Sequence, residues 1–99
     1  MSEKRTIYFG PPREMYTRDR FKQFVEENVA LHLKAIRSPS PCNPEHHNPE
    51  EVTYHFPEAG LGIRYTAVNE HRCMVDLLGT RKKVLDDITA FMFEADNTY

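Results

Sequence analysis

The longest regular pattern of apolar residues begins after Thr17 and runs to about Arg37. Its apolar residues recur at intervals of three and four, at Phe21, Val25, Val29, Leu33 and Ile36, with Phe24 and Leu31 beside them. This spacing places side chains on one face of an α-helix. Because threonine is a common N-cap residue, the pattern predicts a helix from Thr17 to about Arg37 with one buried face.

Shorter segments alternate between apolar and polar residues, as half-buried β-strands do. Strands are predicted in this way at 50–56, 61–67 and 73–77, and a further strand is predicted at 6–9 from its β-branched and aromatic residues before Gly10-Pro11-Pro12. The alternation is clearest at 61–67, where the intervening residues are Gly62, Arg64 and Thr66. Residues 50–56 have an alternative, a helical turn, because Asn48-Pro49 is also a good helix start. We favour the strand.

A second amphipathic helix is predicted after Gly79 and Thr80, which break the last strand and supply a helix cap. Its apolar face consists of Val84, Leu85, Ile88, Phe91, Met92 and Ala95. The order of elements is therefore β-α-β-β-β-α. This order predicts an α+β fold, a two-layer sandwich in which two helices pack on one face of a mainly antiparallel sheet.

A proline-rich loop is predicted at 38–49, where four of twelve residues are proline and none is a large aliphatic residue. A loop this long in a small domain tends to be mobile or functional. Three of its residues, Cys42, His46 and His47, are of types that bind zinc or copper. A structural zinc site needs four ligands, so we predict no metal and no cofactor and keep a metal-responsive module as an alternative.

The composition describes a single small globular domain covering 1–99. Hydrophobic residues make up 39% and charged residues 28%, and the formal net charge of −2 excludes a polycation and predicts no direct contact with nucleic acid. No apolar stretch has the length of a signal peptide or a membrane span. Cys42 and Cys73 are far apart in the sequence and form no CxxC pair, which favours reduced thiols; a disulfide between them is the alternative for an exported chain. We therefore predict a cytoplasmic protein with reduced thiols and no membrane partner.

The charges of the second helix oppose its dipole. Arg81, Lys82 and Lys83, which we call the basic turn, occupy the first turn, and Glu94 and Asp96 lie near the other end. Each such placement costs roughly a few tenths of a kcal/mol. The cost has a functional reason if the basic turn binds a phosphate or a partner's carboxylate. An ordinary solvated turn is the alternative.

A second candidate surface is the face of the predicted sheet that the helices leave uncovered. Arg64 and Thr66 lie on it with Gly62, and His55 lies beside them if its segment is a strand. This face meets either solvent or a partner. An exposed edge of the same sheet is compatible with a homodimer.

The sequence contains no catalytic motif. Asp86 and Asp87 are adjacent on the second helix and point about 100° apart, so they cannot act together on one bond. No motif places a base and an orienting group near either cysteine. A glycine-rich phosphate loop, a nucleophile elbow and a zincin motif are all missing from the sequence. We therefore predict that the protein is not an enzyme.

The second half of the chain contains short motifs in a characteristic order. Tyr54-His55-Phe56-Pro57 is followed by Gly60, by Ile63-Arg64-Tyr65-Thr66-Ala67-Val68-Asn69 and by Phe93-Glu94-Ala95-Asp96. These motifs resemble the DinI-like family of small DNA-damage-inducible regulators, whose members carry Tyr-x-Phe-Pro, a glycine, Val-Arg-Tyr-x-Ala-x-Asn and a closing helix with Glu and Ala-Asp. In that family Tyr-x-Phe-Pro ends the first helix, whereas here the predicted loop intervenes.

The resemblance implies a β-α-β-β-α core and a non-catalytic modulator that binds the filament of the RecA recombinase. By position, it implies contacts from the acidic residues of the last helix, Asp86, Asp87, Glu94 and Asp96. We therefore predict a small regulatory protein that acts by protein–protein binding, on a recombinase or another DNA-transaction protein. The alternatives are the metal-responsive module and a small-anion-binding protein at the start of the second helix.

Overall fold

The fold is built on one antiparallel sheet. The computed structural model describes residues 3–11 and 14–98, with side chains as far as Ala95. The strands are β1 (Glu3–Phe9), β2 (Asn43–Asn48), β3 (Glu51–Phe56), β4 (Leu61–Asn69) and β5 (Arg72–Gly79). They are arranged in the order β1-β5-β4-β3-β2, and every neighbouring pair is antiparallel. The strand predicted at 50–56 is confirmed as β3.

Two helices pack against the sheet. The first has three consecutive stretches, α-helical Arg18–Gln23, π-helical Phe24–Val29 and α-helical Ala30–Ala35, and the second is Lys82–Thr98. Buried side chains of both helices form one hydrophobic core with those of the strands. The structure therefore confirms the predicted α+β fold, with one strand more than the predicted order.

The prediction of a loop over 38–49 is wrong for its second half, which forms β2. All six residues of β2 are exposed, so neither face has the apolar alternation that identifies the other strands. As an edge strand, β2 pairs with β3 alone, and an edge tolerates Pro44 although proline lacks a backbone N–H. Arg18 of the first helix stabilises the hairpin formed by β2 and β3, because its guanidinium donates a hydrogen bond to the Pro49 carbonyl at 2.7 Å.

The first helix begins and ends near the predicted residues. The Thr17 hydroxyl accepts a hydrogen bond from the Arg20 N–H at 3.3 Å, as expected of an N-cap. At the other end, Arg37 has a φ of 61°, and the Ser38 N–H donates to the Leu33 carbonyl at 2.8 Å. This is the Schellman arrangement, which stops a helix by satisfying its last carbonyl groups.

Phe21 is the centre of an aromatic cluster in the core. Its ring centroid lies 5.3 Å from that of Tyr65, 6.0 Å from Tyr54, 6.3 Å from Phe9 and 6.4 Å from Phe24. These rings belong to the first helix and to β1, β3 and β4. Because Phe21 is completely buried, it joins the helical layer to three strands of the sheet.

Burial of Tyr54 and Tyr65 in this cluster has a consequence at alkaline pH. Desolvation raises the pKa of each phenol from 10.0 to about 12, because burial disfavours the phenolate. Below pH 10 both phenols are protonated in the folded and in the unfolded protein. As the pH rises above 10, the phenols of the unfolded chain ionise first, so we expect the free energy of unfolding to fall between about pH 10 and 12.

Tyrosinate absorbance during an alkaline titration measures this effect. We expect late-ionising components from Tyr54 and Tyr65, with Tyr54→Phe and Tyr65→Phe each removing one of them. Late ionisation that persists unchanged in both variants would show that other tyrosines are the protected ones.

Two side-chain pairs connect the second helix to its neighbours. His32 of the first helix pairs with Asp87, and its ring stacks on that of Phe91 with the centroids 4.2 Å apart. Arg5 of β1 pairs with Asp86 at 3.0 Å. His32 is thus a partly buried side chain held by its contacts with Asp87 and Phe91. Both aspartates therefore make contacts inside the fold.

Candidate functional site

The helices cover one face of the sheet and leave the other open. On β4, Leu61, Ile63 and Tyr65 are buried in the core. The alternating residues Gly62 and Arg64 lie on the opposite face, which we call the open face. The sequence-based prediction that the helices leave these two residues uncovered is confirmed.

A shallow trough lies on the open face where β3, β4 and β5 pair. Gly62 is directly opposite His55 on β3 and Leu78 on β5. Because glycine has no side chain, a gap remains between its two neighbours, and the trough has a volume of about 490 Å³. It is lined by Glu45, His47, Thr53, His55, Pro57, Gly60, Leu61, Gly62, Arg64, Leu78, Gly79 and Thr80.

Arg64 brings an unsatisfied hydrogen-bond donor to the trough. Its Nε atom is buried and makes no hydrogen bond, the one such side-chain polar atom among the described residues. The nearest carboxylate partner, Glu51, has Oε1 at 3.7 Å from this Nε, which is too far for a hydrogen bond. Since the Arg64 side chain as a whole is 43% exposed, the outer part of its guanidinium is accessible from solvent.

Two histidines line the trough on the side of β2. His55 Nε2 and Glu45 Oε2 are 2.6 Å apart, and this hydrogen bond lowers the pKa of Glu45. His47 Nε2 lies 3.0 Å from the Thr53 hydroxyl oxygen. Glu45 is therefore held as a carboxylate beside the His55 ring.

Gly60 connects the trough to the basic turn. Its φ of 64° lies in the left-handed region that favours glycine, and a Cβ atom here would overlap the Thr80 hydroxyl. The Gly60 carbonyl accepts hydrogen bonds from the Thr80 N–H at 2.9 Å and from the Thr80 hydroxyl at 3.4 Å. These contacts hold the residue that precedes the basic turn at the end of the trough.

The basic turn itself is exposed. Arg81, Lys82 and Lys83 form no ion pair with any residue in the described part of the chain. The helix begins at Lys82, and the Leu85 N–H donates to the Arg81 carbonyl at 3.0 Å. The cap position is therefore Arg81 and not the predicted Thr80, whose hydroxyl donates to Gly60 instead.

A groove of about 530 Å³ lies between the two helices. This inter-helix groove is lined by Asn28, Leu31, His32, Ala35, Phe91, Glu94 and Ala95. Leu31 is 66% exposed, so the prediction that it widens the buried face is wrong. It lies two residues from both Val29 and Leu33, which are buried, and therefore on the opposite side of the helix.

The acidic residues that the resemblance implies as contacts lie away from the trough. Asp86 and Asp87 are engaged in the pairs with β1 and the first helix described above. Glu94 is exposed at the inter-helix groove. Asp96 lies beyond the last described side chain. The three described residues thus belong to a different surface from the basic turn and Arg64.

The structure does not bring Cys42, His46 and His47 together. His46 Nδ1 lies 3.0 Å from a guanidinium nitrogen of Arg18, whereas His47 contacts Thr53 in the trough. Cys42 packs against the core, where burial raises the pKa of its thiol. Within the described ranges no three His, Cys, Asp or Glu residues are arranged to hold a metal ion, so the metal-responsive alternative has no geometric support.

The sequence identifies the site residues on β4 and in the basic turn, but it does not identify those on β2. Arg64 and Gly62 follow from alternation along β4, and the basic turn follows from its charge. Glu45 and His47 are missed as trough residues because β2 carries no apolar signal. The sequence offers one indication. Glu45 and His47 are two positions apart, so both lie on one face if the segment is a strand.

Comparison of the chain with protein-family models, with curated proteins and with solved structures finds no match. None of the helices formed by residues 3–11 and 14–98 is both long enough and apolar enough to cross a membrane. The geometry of the trough and the basic turn is therefore the basis for a functional proposal.

Proposed function

We propose that the protein is a small non-catalytic regulatory protein that binds an acidic segment of a partner protein at the basic turn. The observation that carries this proposal is the set of three exposed cations that lack an ion pair in the described ranges. They repel one another and also oppose the dipole of the second helix. Carboxylates of a bound segment would offset both effects.

The surroundings of the basic turn favour an extended segment over a small ion. The trough begins at Thr80 and leads along the open face to Arg64. A cation therefore lies at each end of this path, the basic turn at one end and Arg64, which pairs with Glu51, at the other. An extended segment contacts both places at once, whereas a small anion contacts one of them, so the small-anion alternative has less support.

The partner class implied by the resemblance, a recombinase or another DNA-transaction protein, is part of this proposal. The contact surface differs from the implied one. Asp86 and Asp87 already pair inside the fold, and breaking those pairs would weaken the attachment of the second helix. This gives a contact through the acidic side of that helix less support than a contact through the basic turn.

Charge reversal in the basic turn tests the proposal. The tagged protein is compared with a Lys82→Glu/Lys83→Glu variant by affinity capture from a lysate of its native host. A Lys22→Glu/Lys34→Glu variant is the control, because these lysines are exposed on the first helix and the change in net charge is the same.

We expect the unmodified protein and the control to capture the same stoichiometric partner, and the basic-turn variant to recover about tenfold less, because hydrogen bonds between charged groups are lost. Its stability should change by less than about 0.5 kcal/mol, since a gain from the helix dipole opposes repulsion from Asp86 and Asp87. Equal recovery with both variants would contradict the proposal.

A further inference from the structure

We infer that the trough is an anchor site for one glutamate side chain of the acidic segment, with its carboxylate bound by Arg64 and its aliphatic stem lying over Gly62. This inference rests on the proposed function and adds the residue that the segment must carry. It concerns a part of the open face that the basic turn does not reach.

The donor geometry of Arg64 fits a carboxylate. Its buried Nε–H lacks an acceptor within the described part of the chain, and its accessible guanidinium nitrogens carry further donors. Guanidinium and carboxylate groups form paired, parallel hydrogen bonds, which a single ammonium group cannot make. A carboxylate delivered from solvent would accept hydrogen bonds from these outer nitrogens, next to the buried Nε–H that Glu51 leaves without a hydrogen bond.

The shape of the trough fits a short aliphatic stem. Gly62 leaves open space between its neighbours, and a Cβ atom built there would be 3.9 Å from the Leu78 Cβ, an ordinary contact. Leu78 and Pro57 supply apolar surface along the trough. The two methylene groups of a glutamate can therefore lie against Leu78 while the carboxylate reaches Arg64.

The charges around Arg64 favour a single negative charge over a double one. Asp76 is opposite Arg64 on β5 and accepts a hydrogen bond from a threonine at 2.7 Å. Glu51 lies on the neighbouring strand β3, and Glu45 lies one strand further away on β2, paired with His55. A phosphate dianion would meet about twice the repulsion from these carboxylates that a carboxylate would meet.

One extended segment can reach both the anchor and the basic turn. Thr80 precedes the basic turn, and Asp76 is the β5 residue opposite Arg64, four positions earlier in the chain. At about 3.3 Å per residue, this separation is roughly 13 Å. A glutamate at the anchor and acidic residues about four positions away would therefore be contacted together.

Nuclear magnetic resonance titration with an acetylated, amidated hexaglutamate at low ionic strength tests this inference. The signals followed are the Arg64 Nε–H, the Gly62 amide and the Lys82 amide. Two variants disable the anchor. Gly62→Val fills the gap, and Arg64→Lys keeps the charge but removes the paired donors. Thr66→Val, on the open face of the same strand but outside the trough, is the matched control.

We expect hexaglutamate to shift all three signals, with affinity falling about fivefold or more in either anchor variant and less than about twofold in Thr66→Val. Hexa-aspartate should bind more weakly, because its shorter stem does not bridge Leu78 and Arg64. Equal affinity for hexa-aspartate, or tighter binding of the matched hexa-phosphoserine peptide, would overturn the assignment of glutamate.

The same titration separates the two proposals. Shifts at Lys82 without a shift at Arg64 would overturn the anchor site and leave binding at the basic turn intact. Shifts at Arg64 without a shift at Lys82 would instead contradict the proposed function. The absence of any shift would contradict both proposals.

Discussion

Phe21→Ala is expected to lower the free energy of unfolding by about 3–5 kcal/mol. The ring is completely buried and contacts four other aromatic rings, which belong to the first helix and to three strands. Its removal leaves a cavity at the junction of the two layers, where the helix cannot move inward without displacing those rings. Urea denaturation measures the change.

Phe93→Ala is the matched control, because Phe93 is 54% exposed on the second helix. We expect this control to change the free energy of unfolding by less than about 0.5 kcal/mol. Similar losses in the two variants, or a loss below about 1 kcal/mol for Phe21→Ala, would contradict the central position of Phe21 in the core.

Gly60→Ala is expected to have the second-largest effect, a loss of roughly 1–3 kcal/mol. The φ of 64° disfavours any residue with a Cβ atom, and the new methyl group would overlap the Thr80 hydroxyl. Relief of that overlap requires Thr80 to move, and the basic turn follows it directly. We therefore expect partner capture to weaken together with stability.

Gly62→Ala provides the comparison for this prediction. Gly62 lies in β4, and a Cβ atom there makes only ordinary contacts with Leu78. This variant should be neutral or more stable by up to about 1 kcal/mol, because alanine loses less conformational entropy on folding. Thermal unfolding of Gly60→Ala and Gly62→Ala measures the two changes in stability. An equal loss at the two positions would show that the left-handed turn at Gly60 is not the cause.

The parts of the fold that bury apolar residues on one side can be predicted from the sequence. The apolar face that begins at Phe21 predicts the first helix, and alternation at 61–67 predicts β4, because each pattern has the period of its element. β2 has no buried side, so its sequence carries no such signal. Its position depends on backbone pairing with β3, which the order of residue types does not reveal.

The candidate site also contains residues that the sequence identifies and contacts that it does not reveal. Arg64 and the basic turn can be identified from alternation and charge, which are local properties of the chain. The pairing of Asp86 with Arg5 and of Asp87 with His32 depends on how the second helix is placed against its neighbours. Sequence alone therefore leaves these aspartates available for a partner, whereas the structure engages both of them within the fold.

Hydrogen–deuterium exchange of the protein alone and in complex with its captured partner tests the central proposal most directly. We expect new protection at 60–64 and 80–84, which cover the trough and the basic turn, and unchanged exchange at the inter-helix groove. Protection confined to 28–35 and 91–95, with the trough and the basic turn unchanged, would place the partner on the groove and contradict binding at the basic turn.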